Sequence, residues 1–281
     1  MLEQEKAALD EYFKNTSKYH NRIDAKHGEA YYRRYISLIE KSIHNGPFLD
    51  VACGTGWVIN HWAIQYGSHH IGVDISIPGM VLAAQNADRD ANQSFITTSG
   101  SILPFKDGTF ATVGALTFLE HSSEPVQTVS EMVRVLRPGG HLVLCHTNFL
   151  SPFAPHVKTT KWTLFSSVLR NLFLWGGWKR FFTIAAKLAD WEVQPWFVDA
   201  YLDSAQIGDV VYNSKAYFPS DPDAIYLVNP LDLTRLLQRA GMQIEICTTW
   251  GAYTGKRLIL NQIPYINLIG PGCTIIAKKP L

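Results

Sequence analysis

The chain has 281 residues, 47% of them hydrophobic and 17% charged, enough apolar side chain to bury a sizeable core in one large or two small domains. Its 25 Lys and Arg offset 24 Asp and Glu, which argues against a nucleic-acid partner, because phosphate backbones select for a basic excess. The four cysteines, Cys53, Cys145, Cys247 and Cys273, form no CxxC pair and no metal-ligand spacing, so they read as reduced core residues of a cytoplasmic protein.

In chain order, MLEQEKAALDEYFKNTSKYHNR is charged and lacks an apolar central run, so it does not read as a secretory signal. Residues 1–45 are expected to form a helical cap rich in tyrosine, with Tyr12, Tyr19, Tyr31, Tyr32 and Tyr35. From Phe48 short apolar runs alternate with helix-like segments. That is the pattern of an α/β fold: a Rossmann-like, seven-stranded, mostly parallel sheet with helices on both faces. Strands are predicted at 47–52, 69–75, 94–99, 110–118, 140–147, 242–250 and 272–279.

Between the first two strands, 57–67 suits a short helix ended by Gly67. A helix N-capped by Ser123 would carry Val126, Val129, Met132, Val133 and Leu136 on one face and break at Pro138. A third, over 229–241, has Asn229 as cap, Pro230 at its first position and Gly241 as its stop. Residues 151–228 fall outside the alternation and hold five of the eight tryptophans. The expected core is therefore 46–150 with 229–281, interrupted by an aromatic-rich insertion after the fifth strand. Uncharged stretches at 138–157 and 258–277 are broken by Gly, Pro, Asn or His, and neither reads as a spanning helix.

The chemistry concentrates in FLDVACGTGW. Gly54 and Gly56 behind a strand let main chain approach a ligand at the carboxyl end of a parallel sheet. A dinucleotide fingerprint would need glycine where Ile59 stands, and a phosphate loop would need a Lys-Ser/Thr pair that GTGWVIN lacks. Asp50 lies inside the strand end and Asp74 ends the second strand, where a carboxylate can accept both hydroxyls of a ribose.

Taken in order, LDVACGTGW, IGVDIS, SILPFKDGTFATV, LEH and EMVRVLRPGGHLVLCH resemble the successive motifs of class I S-adenosylmethionine-dependent methyltransferases. The likeness is greatest to the small-molecule branch that includes the ubiquinone/menaquinone C-methyltransferases. The resemblance implies S-adenosyl-L-methionine as cofactor and S-adenosyl-L-homocysteine as product. It places Asp50, Ala52, Gly54 and Gly56 around the methionine end, Asp74 on the ribose and Ile75 against the adenine. Ser99, Gly100 and Ser101 stand where the family usually has an Asp-Ala pair near the adenine amino group, Ile102 would pack the ring, and Thr117 with Leu119 would lie beside the sulfonium. Ala111 replaces an Asp frequent in the family.

Methyl transfer from a sulfonium needs alignment and, for a hydroxyl or acidic carbon, removal of a proton. Histidine suits that task near neutral pH, and His121 and His146 fall at strand ends facing the crevice. Glu120 is a candidate to orient His121. The sequence contains no H-x-H, HExxH or paired-acid metal spacing, so a metal-independent reaction is expected. In the family a helix before the first strand often folds over the cofactor, so Tyr12, Phe13 or Tyr19 would supply an aromatic lid.

The insertion is expected to line a pocket for an apolar or aromatic small-molecule acceptor, with two competing readings. One is a homodimer interface and the other a membrane surface holding a lipid-linked acceptor. Against the membrane, only Arg170, Lys179, Arg180 and Lys187 are spread over its tryptophan-rich stretch, short of a dense basic patch. A cofactor-binding partner subunit without activity is the further alternative.

Overall fold

The computed structural model describes residues 3–15, 32, 33, 35–40, 46–65, 68–88, 90–149, 151, 203–207, 210–214, 228–249, 256–263 and 266–281. The tryptophans of the insertion, together with Tyr19 and Tyr31, lie outside the described residues.

Nine strands are described: β1 (Phe48–Val51), β2 (His70–Asp74), β3 (Gln93–Thr97), β4 (Phe110–Leu116), β5 (Leu136–Thr147), β6 (Asp203–Ile207), β7 (Val210–Ser214), β8 (Gln243–Thr248) and β9 (Gly272–Lys278). Seven form one sheet in the order β3-β2-β1-β4-β5-β9-β8, and β6 with β7 form a separate antiparallel ribbon. The first five are mutually parallel, whereas β9 runs antiparallel to both β5 and β8. The seven-stranded, mostly parallel expectation therefore holds. The β6–β7 ribbon carries no signal that sets it apart from its aromatic surroundings in the sequence.

The chain leaves β1 in one direction to build β2 and β3 and returns to β1's other side with β4. Such a switch point opens a crevice outside the carboxyl ends of the two central strands. Both faces of the sheet are covered, as a parallel sheet requires. Leu49, Val51, Val113, Ala115, Leu142 and Leu144 pack with α4 (Pro125–Val135) and α5 (Pro230–Arg239) on one face. Phe48, Val143, Cys145 and Ile276 pack with Tyr35, Ile36 and Ile39 of the helical stretch 35–40 and with Val58 and Ile59 of α2 (Trp57–Gln65) on the other. Alternate strand residues go to opposite faces, so Asp50 shares the Tyr35 side.

The helix over 229–241 is close to expectation. Asn229 accepts from the Asp232 N–H at 3.1 Å, Pro230 opens the helix, and Gly241 is left-handed at φ 79° just past its end. The helix predicted from Ser123 differs. Its cap position is Glu124, with no side-chain cap bond, and Pro125 is its first residue. Ser122 accepts from the Glu124 N–H instead, at 3.3 Å. Val126 is 46% exposed, off the apolar face, and Leu136 belongs to β5 rather than to the helix. Pro138 is thus a strand residue: the β4–β5 register jumps from Phe110↔Leu136 to Thr112↔His141, so Arg137 to Gly140 bulge out of the ladder, where a residue without an N–H is tolerated. Lys279 holds this junction, its Nζ donating to the Val133 and Leu136 carbonyls at 2.7 Å each.

Candidate cofactor and catalytic site

The β1 turn alternates into the left-handed region at Ala52 (φ 60°), Gly54 (φ 58°) and Gly56 (φ 73°). For Gly56 two constraints coincide: φ is positive, and an added Cβ would stand 2.6 Å from the Phe95 ring and 2.7 Å from Ala83. No other residue type satisfies both. Ala52 carries a Cβ through the same region at a strain cost, a sign of an over-determined site. The only other non-glycine residue so placed among the described ones is Thr117 (φ 44°), at the end of β4. Both strained residues flank the switch point.

Asp74 fastens the turn. Its Oδ2 accepts from the Gly54 N–H at 2.9 Å and its Oδ1 from the Ser76 N–H at 2.8 Å. Ser76 in turn caps α3 (Ile77–Gln85) by accepting from the Gly79 N–H at 3.2 Å. Ile75, next to Asp74, is half-buried.

Asp50 is 3% exposed and accepts a bond from the Tyr35 hydroxyl at 3.1 Å. Burial pushes its carboxyl up to about 8, the Tyr35 bond pulls the other way, and the Asp74 charge adds to the rise. Tyr35 reaches it across β4, because the register partner of Asp50 is Gly114, where a Cβ would collide with the Tyr35 hydroxyl. Fifteen residues separate Tyr35 from Asp50, and no spacing rule links them, so sequence reasoning missed this contact.

Ser99, Gly100, Ser101 and Ile102 form a turn. Ser99 and Ser101 share a hydroxyl bond at 2.9 Å, and the Ile102 N–H donates to the Ser99 carbonyl at 3.1 Å. Gly100 is buried, and a Cβ there would press on Phe118, Thr128 and Val51 at 3.1 Å. Ile102 is 72% exposed, whereas Leu119 is fully buried in the core. Tyr12 and Phe13 of α1 (Glu3–Asn15) pack on that same core. Phe13 meets His121 edge-on at 5.8 Å between centroids, so α1 touches the β4 end of the crevice.

Glu120 does not bond His121. Residues 119–121 form a 3-10 turn, which directs Glu120 to His146 at the end of β5: Oε2 and Nδ1 are 3.0 Å apart and both side chains are fully buried. Burial alone would raise the Glu120 carboxyl, yet the His146 bond and charge, with the nearby His121, hold it below the usual carboxylate range. His146 is thus tied to a buried carboxylate at the end of β5, a pairing concealed by a separation of 26 positions in the chain.

Residues 49–144 match the family described as a methyltransferase domain. An uncharacterised methyltransferase of Mycolicibacterium gilvum is 36% identical over 115 residues, 41% of this chain and 44% of that one. Norajmaline N-methyltransferase of Rauvolfia serpentina is 29% identical over 178 residues, 61% of this chain and 57% of the relative. The matched part thus spans about half the length of these curated relatives. The solved structure of a putative S-adenosylmethionine-dependent methyltransferase from Listeria monocytogenes aligns with a TM-score of 0.54 at 12% identity, covering 89% of this chain and 98% of the other. Residues 49–144 thus match a methyltransferase domain, and the sheet that carries them has the fold of the Listeria structure.

The cofactor implied is S-adenosylmethionine, and the residues fit it. The buried Asp50 carboxylate lacks a cationic partner among its named neighbours, a deficit that an ammonium group would fill. The turn has no side chain beyond Cβ at Ala52, Gly54 and Gly56, and Asp74 ends β2 beside it with a carboxylate, the residue type that the family resemblance implies for a ribose.

Proposed function

We propose that the protein transfers a methyl group from S-adenosylmethionine to a small, apolar or aromatic acceptor. The observation that carries this reading is the Ala52–Gly56 turn, left-handed at alternate residues, with a buried acid on β1 behind it and Asp74 on β2 clamping it. Phosphate ligands do not explain that pair of acids, whereas a ligand with an amino group at one end and a ribose at the other does. The relative from Rauvolfia, which bears the name of a single compound as acceptor, supports a small-molecule substrate.

When bound, the cofactor supplies an electrophilic methyl on a sulfonium. Asp50 holds the amino group by charge, and Gly54 and Gly56 let their main chain close on the amino-acid end. Asp74 accepts from the ribose hydroxyls, the Ser99–Ile102 turn borders the adenine, and Ile75 lies against it. Thr117 and Leu119 border the sulfonium. Phe13, from α1, covers the β4 end and excludes water there. His146 takes the acceptor's proton, and His121, held against Phe13, is the second histidine at the site. The insertion at 151–228 is the segment from which the acceptor pocket is built.

Isothermal titration with S-adenosylmethionine tests the reading. Wild-type protein is expected to bind, and Asp74→Ala to bind at least about tenfold more weakly, the loss typical of a charged hydrogen-bond acceptor. No binding by wild type, or an Asp74→Ala variant that matches it, would remove the assignment.

A further inference from the structure

We propose that Glu120 is the positioning residue of a proton-accepting pair with His146, and that the acceptor is therefore a hydroxyl or a carbon acid. This rests on the methyltransferase reading and names the acceptor class for that same site.

Both side chains have 0% exposure, where a polar atom without a partner is costly. Two groups compete for His146 Nδ1: Glu120 Oε2 at 3.0 Å and the Phe118 N–H at 3.4 Å. They demand opposite tautomers, because the carboxylate needs Nδ1 to donate and the amide needs it to accept. The carboxylate wins, since its bond is shorter and charge-assisted. Nδ1 then carries the proton and Nε2 the lone pair.

Among the described residues Nε2 has no hydrogen-bond partner, and neither has Glu120 Oε1. A pair that served packing alone would have its outer atoms satisfied; here, among the described residues, the basic end of the imidazole is buried without a partner. The Phe118 contact also ties His146 to the turn from Thr117 to Leu119, so the base stands beside the strained end of β4. The other titratable groups here are His121, whose charge acts on Glu120, and Cys273, the register partner of His146 on β9.

The acceptor's proton passes to Nε2, and the electron pair left on oxygen or carbon forms the bond to the methyl. The carbon–sulfur bond breaks with its electrons returning to sulfur. The imidazolium that results is countered by Glu120. A neutral amine attacks with its own lone pair and needs no base before the methyl moves, which would leave the pair without a task.

Long-range proton–nitrogen NMR on the full chain with labelled histidine reads the tautomer directly, His146 being assigned by its absence in His146→Gln. Wild type is expected to show Nδ1–H. Glu120→Gln, whose amide can donate to Nδ1, is expected to show Nε2–H. Calorimetry with S-adenosylmethionine should give the same affinity for both within about threefold. Turnover on a panel of phenols should fall about a hundredfold or more in kcat, with KM little changed and the acidic limb of the pH profile lost. If Glu120→Gln does not fold, Glu120→Asp keeps the charge, withdraws it by one methylene, and should lose kcat in the same way.

An Nε2–H tautomer in wild type, a Glu120 variant with unchanged kcat and pH profile, or turnover confined to amines would each overturn the proposal. Wild-type protein that binds no S-adenosylmethionine is a different result: it removes the methyltransferase reading itself, whatever the tautomer.

Discussion

Asp50 is the residue whose ionisation matters most. Its carboxyl ionises near 3.8 when unfolded and at about 8 in the folded chain, so folding takes up a proton between those values. The free protein is expected to lose stability as pH rises from about 4 to about 8. Cofactor binding has the opposite dependence, because the amino group prefers the ionised acid. The association constant should rise with pH from about 6 towards about 8, by up to roughly tenfold per unit, with proton release at pH 7, and fall again above as the ligand's own ammonium loses its proton. Calorimetry in buffers of different ionisation enthalpy measures that release. Asp50→Asn should bind weakly and show no such slope, and a flat wild-type profile would remove Asp50 from the amino-group site.

At the scale of elements, α4 organises the loop that follows the Ser99–Ile102 turn. Arg134 donates to the Leu103 and Phe105 carbonyls at 3.0 and 2.8 Å and to Asp107 at 2.7 Å, while Glu131 accepts from the Leu103 N–H at 2.8 Å. Arg134 and Glu131 also bond each other at 2.6 Å, and that bond holds the Glu131 carboxyl below its usual range. An exposed ion pair alone would contribute little, but here the guanidinium satisfies main-chain carbonyls across two elements. Arg134→Ala is expected to cost about 1–2 kcal/mol and, with the Ser99–Ile102 turn at the adenine as proposed, to weaken cofactor binding, with thermal melting and titration as the readouts. Because Glu131 is depressed, its contribution is full at neutral pH and is lost as pH falls through its folded value. The helix periodicity in EMVRVL exposed the apolar face of α4, but not this network, since Leu103 and Arg134 are 31 residues apart.

For the whole molecule, the balanced charge and the sparse basic residues of the insertion bear on where the acceptor comes from. No described helix is long and apolar enough to cross a membrane. In sedimentation with liposomes containing acidic lipid at low salt, the protein is expected to stay in the supernatant. Pelleting would favour the lipid-linked acceptor over a dissolved one.

The sequence by itself determined the sheet, the glycine turn, the two acids and the order of the cofactor motifs. Each of these is a local signal: short apolar runs between helix-like segments, a residue type demanded by backbone geometry, or a short string at the end of a strand. The failures were local as well. The simple pattern puts a break between helix and strand at Pro138, whereas a bulge lets β5 keep that proline. Only the tertiary structure decided that Tyr35 reaches Asp50 over Gly114 and that Glu120 turns to His146 rather than to His121. Those pairings depend on strand register and on a 3-10 turn that rotates one side chain away from its neighbour. Register follows from packing the whole sheet, so residues far apart in the chain meet in ways that no spacing rule encodes.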